Sequence, residues 1–133
     1  MSNVQLIRDV YEAMGRGDVP AMLGAMDPGI KWREAEGTPY EPSGQAWQGP
    51  DAVLQKLFMR LATEWDGFTV HTKKFYDAGA VVVVEGRYTG VFKETGKSLD
   101  AQVCHVWRVT DGKISGFQQY VDTGQLQDVQ GTR

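Results

Sequence analysis

From Phe68 onward the hydrophobic pattern changes to a period of two. Residues 68–76, 80–92, 98–109 and 113–121 are rich in Val, Tyr, Phe and Thr, the composition of strands. They are separated only by Asp77-Ala78-Gly79, Glu94-Thr95-Gly96 and Thr110-Asp111-Gly112. Breaks this short make hairpins, so the strands run antiparallel as a meander.

The first half reads as helices. Ser2 and Gln5 form a capping-box pattern, followed by Leu6, Ile7, Val10, Ala13 and Met14 at helical spacing. Gly15 and Gly17 stop this helix. Asp18 caps a second one with Pro20 in its first turn, which runs through Met26 and ends at Asp27-Pro28-Gly29. Residues 30–35 predict a short strand, with Ile30, Trp32 and Glu34 on one face. Residues 36–49 read as a loop long enough to be functional. Gly49-Pro50 then opens a helix whose Val53, Leu54, Leu57, Phe58 and Leu61 form a single apolar stripe. Helices followed by an antiparallel sheet define an α+β architecture in which the helices cover one sheet face. One domain over residues 1–133 is expected, with a short helical turn capped by Asp122 and a loosely ordered tail over about 123–133.

The net charge of −3 comes from 14 Lys and Arg against 17 Asp and Glu, and no window clusters the basic residues. That excludes the phosphate-binding patch of a nucleic-acid protein. With one cysteine, Cys104, no intrachain disulfide and no cysteine zinc site can form. The two histidines have no carboxylate at ligand spacing, so neither a metal nor a cofactor is expected. No run is long enough to span a bilayer, and residues 1–5 lack a signal pattern. A cytoplasmic protein is expected.

The last hairpin decides which side chains face the helices. With Asp111-Gly112 alone as the loop, His105 sits opposite Gln118. With Thr110-Asp111-Gly112 as a three-residue loop, it sits opposite Phe117. The second register gathers Val103, His105, Trp107, Val109, Phe117 and Val121 on one face, and it is the one expected here. It puts His105 and Gln119 among apolar neighbours. The other face carries Gln102, Cys104, Val106, Arg108, Gln118 and Tyr120, a mixture that suits a subunit interface.

The chain resembles the SnoaL-like branch of the nuclear-transport-factor-2-like superfamily, relatives of ketosteroid isomerase and polyketide cyclases. The resemblance rests on Gly15-Arg16-Gly17-Asp18, Ile30-Lys31-Trp32-Arg33-Glu34, Thr38-Pro39-Tyr40 and Trp47-Gln48-Gly49-Pro50. It continues through Gly86-Arg87-Tyr88-Thr89-Gly90, His105-Val106-Trp107-Arg108-Val109, Asp111-Gly112-Lys113-Ile114 and Tyr120-Val121-Asp122. It implies a cone-like α+β barrel: a strongly curved sheet over helices, with a pocket inside and a homodimer through the outer sheet face. It also implies that Glu34 stands at the isomerase's base and His105 at its protonated aspartate. Gln119 stands at the cyclases' acid/base aspartate, and Val10 at the isomerase's oxyanion-hole tyrosine. The chain thus keeps one carboxylate and departs at the other positions, which argues against steroid isomerisation itself and the usual cyclase mechanism.

The catalytic candidates are therefore Glu34, His105 and Gln119. A carboxylate among apolar groups is a raised-pKa base, and a neutral imidazole there can donate to an oxygen. Gln119 can orient a substrate or a water. Trp32, Tyr40, Val103, Trp107 and Phe117 are the candidate ligand walls, with Tyr88 and Trp47 near the mouth. The functional expectation is an isomerase-, cyclase- or hydrolase-like enzyme on a small hydrophobic carbonyl compound. The alternative is a non-catalytic binding or oligomerising module for a hydrophobic metabolite.

Overall fold

A computed structural model describes all residues 1–133. Helix α1 (Asn3–Gly15) starts at Ser2, whose hydroxyl accepts from the Gln5 amide; α2 (Val19–Gly24) starts at Asp18, which caps Ala21. Strand β1 (Met26–Arg33) and the short β2 (Trp47–Gln48) follow. Next comes one continuous helical segment: α3 (Pro50–Val53), a π-helical turn (Leu54–Phe58) and α4 (Met59–Glu64). The meander is β3 (Trp65–Ala78), β4 (Val81–Phe92), β5 (Ser98–Thr110) and β6 (Lys113–Val121), and α5 (Thr123–Gln130) closes the chain. The sheet order is β2-β1-β6-β5-β4-β3, antiparallel except where β1 lies parallel to β6. This is the expected α+β fold, with a curved, unclosed sheet. No helix is long and apolar enough to cross a membrane.

The curl has a local cause. Strand β3 carries an extra residue between Asp66 and Thr69, and another between Thr72 and Lys74. Each bulge faces a glycine of β4. A Cβ on Gly86 would run into the carbonyl oxygen of His71, and one on Gly90 would come within 3.1 Å of the Phe68 Cα. Bulges bend and twist the strand that bears them, and glycine lets the partner backbone follow. The concave face so formed is buried as alternate residues: Val82, Val84 and Tyr88 on β4, and Leu99, Ala101, Val103, His105, Trp107 and Val109 on β5.

Four expectations need correcting. The second helix ends at Gly24, so Met26 to Gly29 belong to β1, where a register shift before Lys31 absorbs Asp27-Pro28-Gly29. Residues 36–49 include β2, which pairs Trp47 with Trp32 and buries Trp47 in the core, away from any mouth. Residues 123–130 are held, not loose: they form α5, whose Leu126 and Val129 are buried in an apolar cluster with Trp65, Leu99 and Val103. The last hairpin follows neither register considered. Its loop is Asp111-Gly112 with positive φ at both residues, as a two-residue turn needs. A bulge at Ser115 then sets His105 opposite Gln119. One extra residue restores the parity, so His105, Phe117 and Gln119 face inward as expected, for a different reason.

Replacing Gly86 with Ala should lower the free energy of urea unfolding by about 1–3 kcal/mol, the range for a side chain forced into a filled space. Gly24→Ala, whose Cβ meets nothing within 4 Å, is the control and should change little.

Candidate functional site

The concave face and the helices enclose a cavity of about 400 Å³. Most of its wall is apolar: Tyr11, Met14, Val19 and Met22 from α1 and α2, Leu57, Phe58 and Leu61 from the helical segment, and Trp107 and Phe117 from the sheet. Leu57 and Phe58 lie in the π-helical turn, a feature frequent at functional sites. Trp32 stacks on Phe117 with ring centroids 3.8 Å apart, a contact set by the Trp32–Phe117 pairing of β1 with β6.

The buried polar residues are Glu34, Thr38, His105 and Gln119, and all of them line this cavity. Glu34 follows the last residue of β1, so the parallel pairing with β6 delivers it beside Gln119. The Trp32 indole Nε1 donates to Glu34 Oε2 at 3.2 Å. Burial pushes the Glu34 carboxyl up to about 7, and the Trp32 hydrogen bond opposes that rise. Burial holds His105 down to about 3, so the imidazole is neutral. Its Nδ1 is 2.5 Å from the Tyr11 hydroxyl and its Nε2 is 2.5 Å from the Tyr88 hydroxyl. Trp107 Nε1 donates to Tyr11 at 2.9 Å and Gln119 Nε2 donates to Tyr88 at 3.0 Å. The other end of the Gln119 amide, Oε1, accepts from the Ala35 N–H at 3.2 Å. Burial pushes both tyrosine hydroxyls well above their usual range; the Glu34 charge adds to the rise at Tyr88. Thr38 Oγ1 is buried and has no hydrogen-bond partner.

Tyr40 closes one side of the cavity. Its hydroxyl donates to Glu64 at 2.8 Å and accepts from Trp65 Nε1 at 3.1 Å, while the Arg60 guanidinium lies 3.8 Å from its ring centroid.

The structure thus brings Glu34, His105, Gln119, Trp32, Tyr40, Tyr88, Trp107 and Phe117 to one cavity. Val103 does not line it: it points inward, but packs in the α5 cluster. Tyr88 sits within the buried network, 6 % exposed, and not at the mouth. Sequence reasoning missed Tyr11 and Thr38. Matching by resemblance placed Val10 at the tyrosine position, whereas Val10 is in the core and the next residue supplies the hydroxyl. The signal lay in Tyr11 itself, a polar-tipped aromatic four residues after Ile7 and three before Met14, and so on the inward stripe of α1.

Comparison with known proteins supplies a family. Residues 7–117 match the SnoaL-like domain family. An NTF2-like protein from Burkholderia thailandensis is 37% identical over 97% of each chain, with a TM-score of 0.91. An NTF2-like protein of unknown function from Burkholderia pseudomallei is 28% identical over 97% of this chain and 98% of its own, with a TM-score of 0.86. TerC co-crystallised with polyporic acid shares the fold at 22% identity, over 97% of this chain and 98% of its own, with a TM-score of 0.84. No functionally curated protein matches the chain.

The pH dependence of stability follows from two opposed groups. Glu34 rises from 4.5 to about 7, so the folded state binds its proton more tightly. Stability from this group is greatest below pH 4.5 and is lost as pH rises through 7. His105 falls from 6.5 to about 3, so its contribution is present above pH 6.5 and is lost on acidification. The two slopes cancel between pH 4.5 and 6.5. Glu34→Gln should therefore stabilise the protein at pH 8 by up to about 3 kcal/mol. It should also unmask a loss of stability between pH 6.5 and 5 that the parent lacks, read by urea unfolding at each pH.

Proposed function

We propose, from the premise that this chain belongs to the SnoaL-like domain family, that it is an acid/base enzyme acting on a small, largely apolar carbonyl compound. The observation that carries this is a carboxyl poised at about 7 in the same cavity as a neutral imidazole network. A base is most useful when its pKa lies near the working pH. Glu34 takes a proton from the carbon next to the carbonyl, and the electron pair of that C–H bond moves onto the oxygen as an enolate. Neutral hydrogen-bond donors on the His105 wall stabilise the developing charge. Returning the proton to carbon completes an isomerisation; attack of the enolate carbon on a second carbonyl completes a cyclisation. The amide of Gln119 is used at both ends, so it is a positioning residue that holds Tyr88. The co-crystallisation of TerC with polyporic acid supports reading the cavity as a site for a small organic molecule.

A second reading is non-catalytic binding. It is favoured by the engagement of both His105 nitrogens within the protein, which leaves the imidazole no free atom for a proton transfer.

The outer face of β4, β5 and β6 is where we place a second copy of this chain. Val83, Cys104 and Val106 are only half-buried there, and Tyr120 is 57% exposed. Tyr120→Glu should then raise the monomer fraction in sedimentation at fixed concentration; a parent protein that is already monomeric would refute the dimer.

For the chemistry, 2-tetralone is a probe with an acidic CH₂ beside its carbonyl. Exchange of that CH₂ in D₂O, followed by NMR, should be accelerated by the protein, with a rate that rises as pH passes through 7. Glu34→Gln should slow it by about a hundredfold or more. Binding without accelerated exchange supports the second reading, and exchange unaffected by Glu34→Gln rules out Glu34 as the base.

A further inference from the structure

The hydrogens around His105 can be counted, and the count leaves one over. The neutral imidazole carries one N–H and one bare nitrogen. Tyr11 and Tyr88 each carry one O–H, and each lies 2.5 Å from a different imidazole nitrogen. One tyrosine must donate to the bare nitrogen. The other must accept from the imidazole N–H, because two lone pairs or two hydrogens cannot face each other. The donating tyrosine has spent its proton. The accepting tyrosine has not, and its remaining neighbour cannot take it. For Tyr11 that neighbour is the Trp107 indole N–H, a donor only. For Tyr88 it is the Gln119 NH₂, and that amide cannot turn round, since its oxygen is held by the Ala35 N–H. Glu34 keeps acceptor capacity beyond its bond from Trp32, but neither hydroxyl is hydrogen-bonded to it.

We propose that Tyr11, His105 and Tyr88 work as one donor unit that presents a single hydroxyl proton to the cavity. Tyr88 carries it when the imidazole proton is on Nε2, and Tyr11 carries it when that proton is on Nδ1. Both arrangements hold the same three protons, and all three side chains line the cavity. The imidazole is then a positioning residue whose tautomer selects the donor, and the group that meets the ligand is a phenol. This rests on the reading of the cavity as a site for a carbonyl compound, and it narrows the ligand class. The bound molecule must bring an acceptor oxygen to this wall. A molecule offering only donors without a lone pair there, such as an indole N–H or an ammonium, would leave the surplus proton facing another hydrogen, and is rejected. Burial of the unit, which keeps His105 neutral and both phenols protonated, holds the count over the working pH range.

The test needs no ligand in its first part. Removing Tyr11 leaves fewest unpaired groups if Tyr88 donates to Nε2 and the imidazole proton moves to Nδ1. Removing Tyr88 favours the opposite arrangement. In protein labelled with ¹⁵N-histidine, Tyr11→Phe should therefore show the Nδ1–H tautomer and Tyr88→Phe the Nε2–H tautomer. His71 is the only other histidine, and a His71→Gln variant removes its signals. The same tautomer in both variants overturns the proposal. Should either variant fail to fold, the parent protein still decides: at pH 5 its His105 should be neutral, with both nitrogens in hydrogen bonds, and an imidazolium there overturns the count. In the second part, 2-tetralone is compared with tetralin, which has the same rings and no carbonyl. The parent should prefer the ketone, and Tyr11→Phe with Tyr88→Phe should reduce that preference about tenfold or more. A preference that survives the double change overturns the donor assignment. Inverted tautomers with no binding of either probe would sink the carbonyl reading and leave the donor unit standing.

Discussion

The hollow in this protein exists because β3 is one residue too long for β4 in two places. At each place the excess is thrown out as a bulge opposite a glycine: Gly86, where a Cβ would collide with the His71 carbonyl oxygen, and Gly90, where one would crowd the Phe68 Cα. A sheet without those bends would stay open and shallow, and its apolar face would close directly onto the helices. With them, the long strands wrap over α1 and the helical segment, and the Tyr11 hydroxyl of α1 reaches His105 and Trp107 at one side of the space. The space left between is the cavity. The site is a product of backbone sterics before it is a product of side-chain chemistry.

Once the space is dry, its chemistry is governed by the cost of charge. A carboxylate or an imidazolium there loses its hydration, so Glu34 is pushed towards its acid form and His105 towards its base form. Both are moved towards neutrality, and their opposed effects on stability offset each other between about pH 4.5 and 6.5, so in that range the fold carries two ionisable groups in one apolar hollow without strong pH sensitivity. Apart from Thr38 Oγ1, the polar side chains buried there satisfy one another. Trp32 serves Glu34, while Trp107, Tyr11, His105, Tyr88, Gln119 and the Ala35 amide form an unbroken series. Where the series comes out uneven, a ligand has something to bind.

Sequence reading reached the architecture and most of the wall. The alternation of Val103, His105, Trp107 and Val109, and the short breaks between strands, were enough to place a polar row inside the meander. The parity of β6 was right although the loop was not, because the Ser115 bulge compensates for the shorter turn. Val103 was legible as inward but not as lying beyond the cavity, since alternation reports a face and not a position along it. Tyr11 was invisible because helical periodicity counts apolar residues, and its contribution is the hydroxyl at the tip. Helix α5 was legible as a short turn capped by Asp122 but not in its full length, because Leu126 and Val129 are too few to show a period.

What the sequence alone determined is therefore what local sterics and periodicity control: helices first, an antiparallel meander after, glycines where turns demand them, and an apolar face bearing a histidine and a carboxylate. Tertiary structure decided the rest. It brought Tyr11, distant in the chain, to one nitrogen of His105 and Tyr88 to the other, and it laid β1 parallel to β6 so that Glu34 meets Gln119. Those meetings depend on the curl of the sheet and on which hydrogens are left without partners. Both are properties of the packed whole, and no single segment of chain contains them.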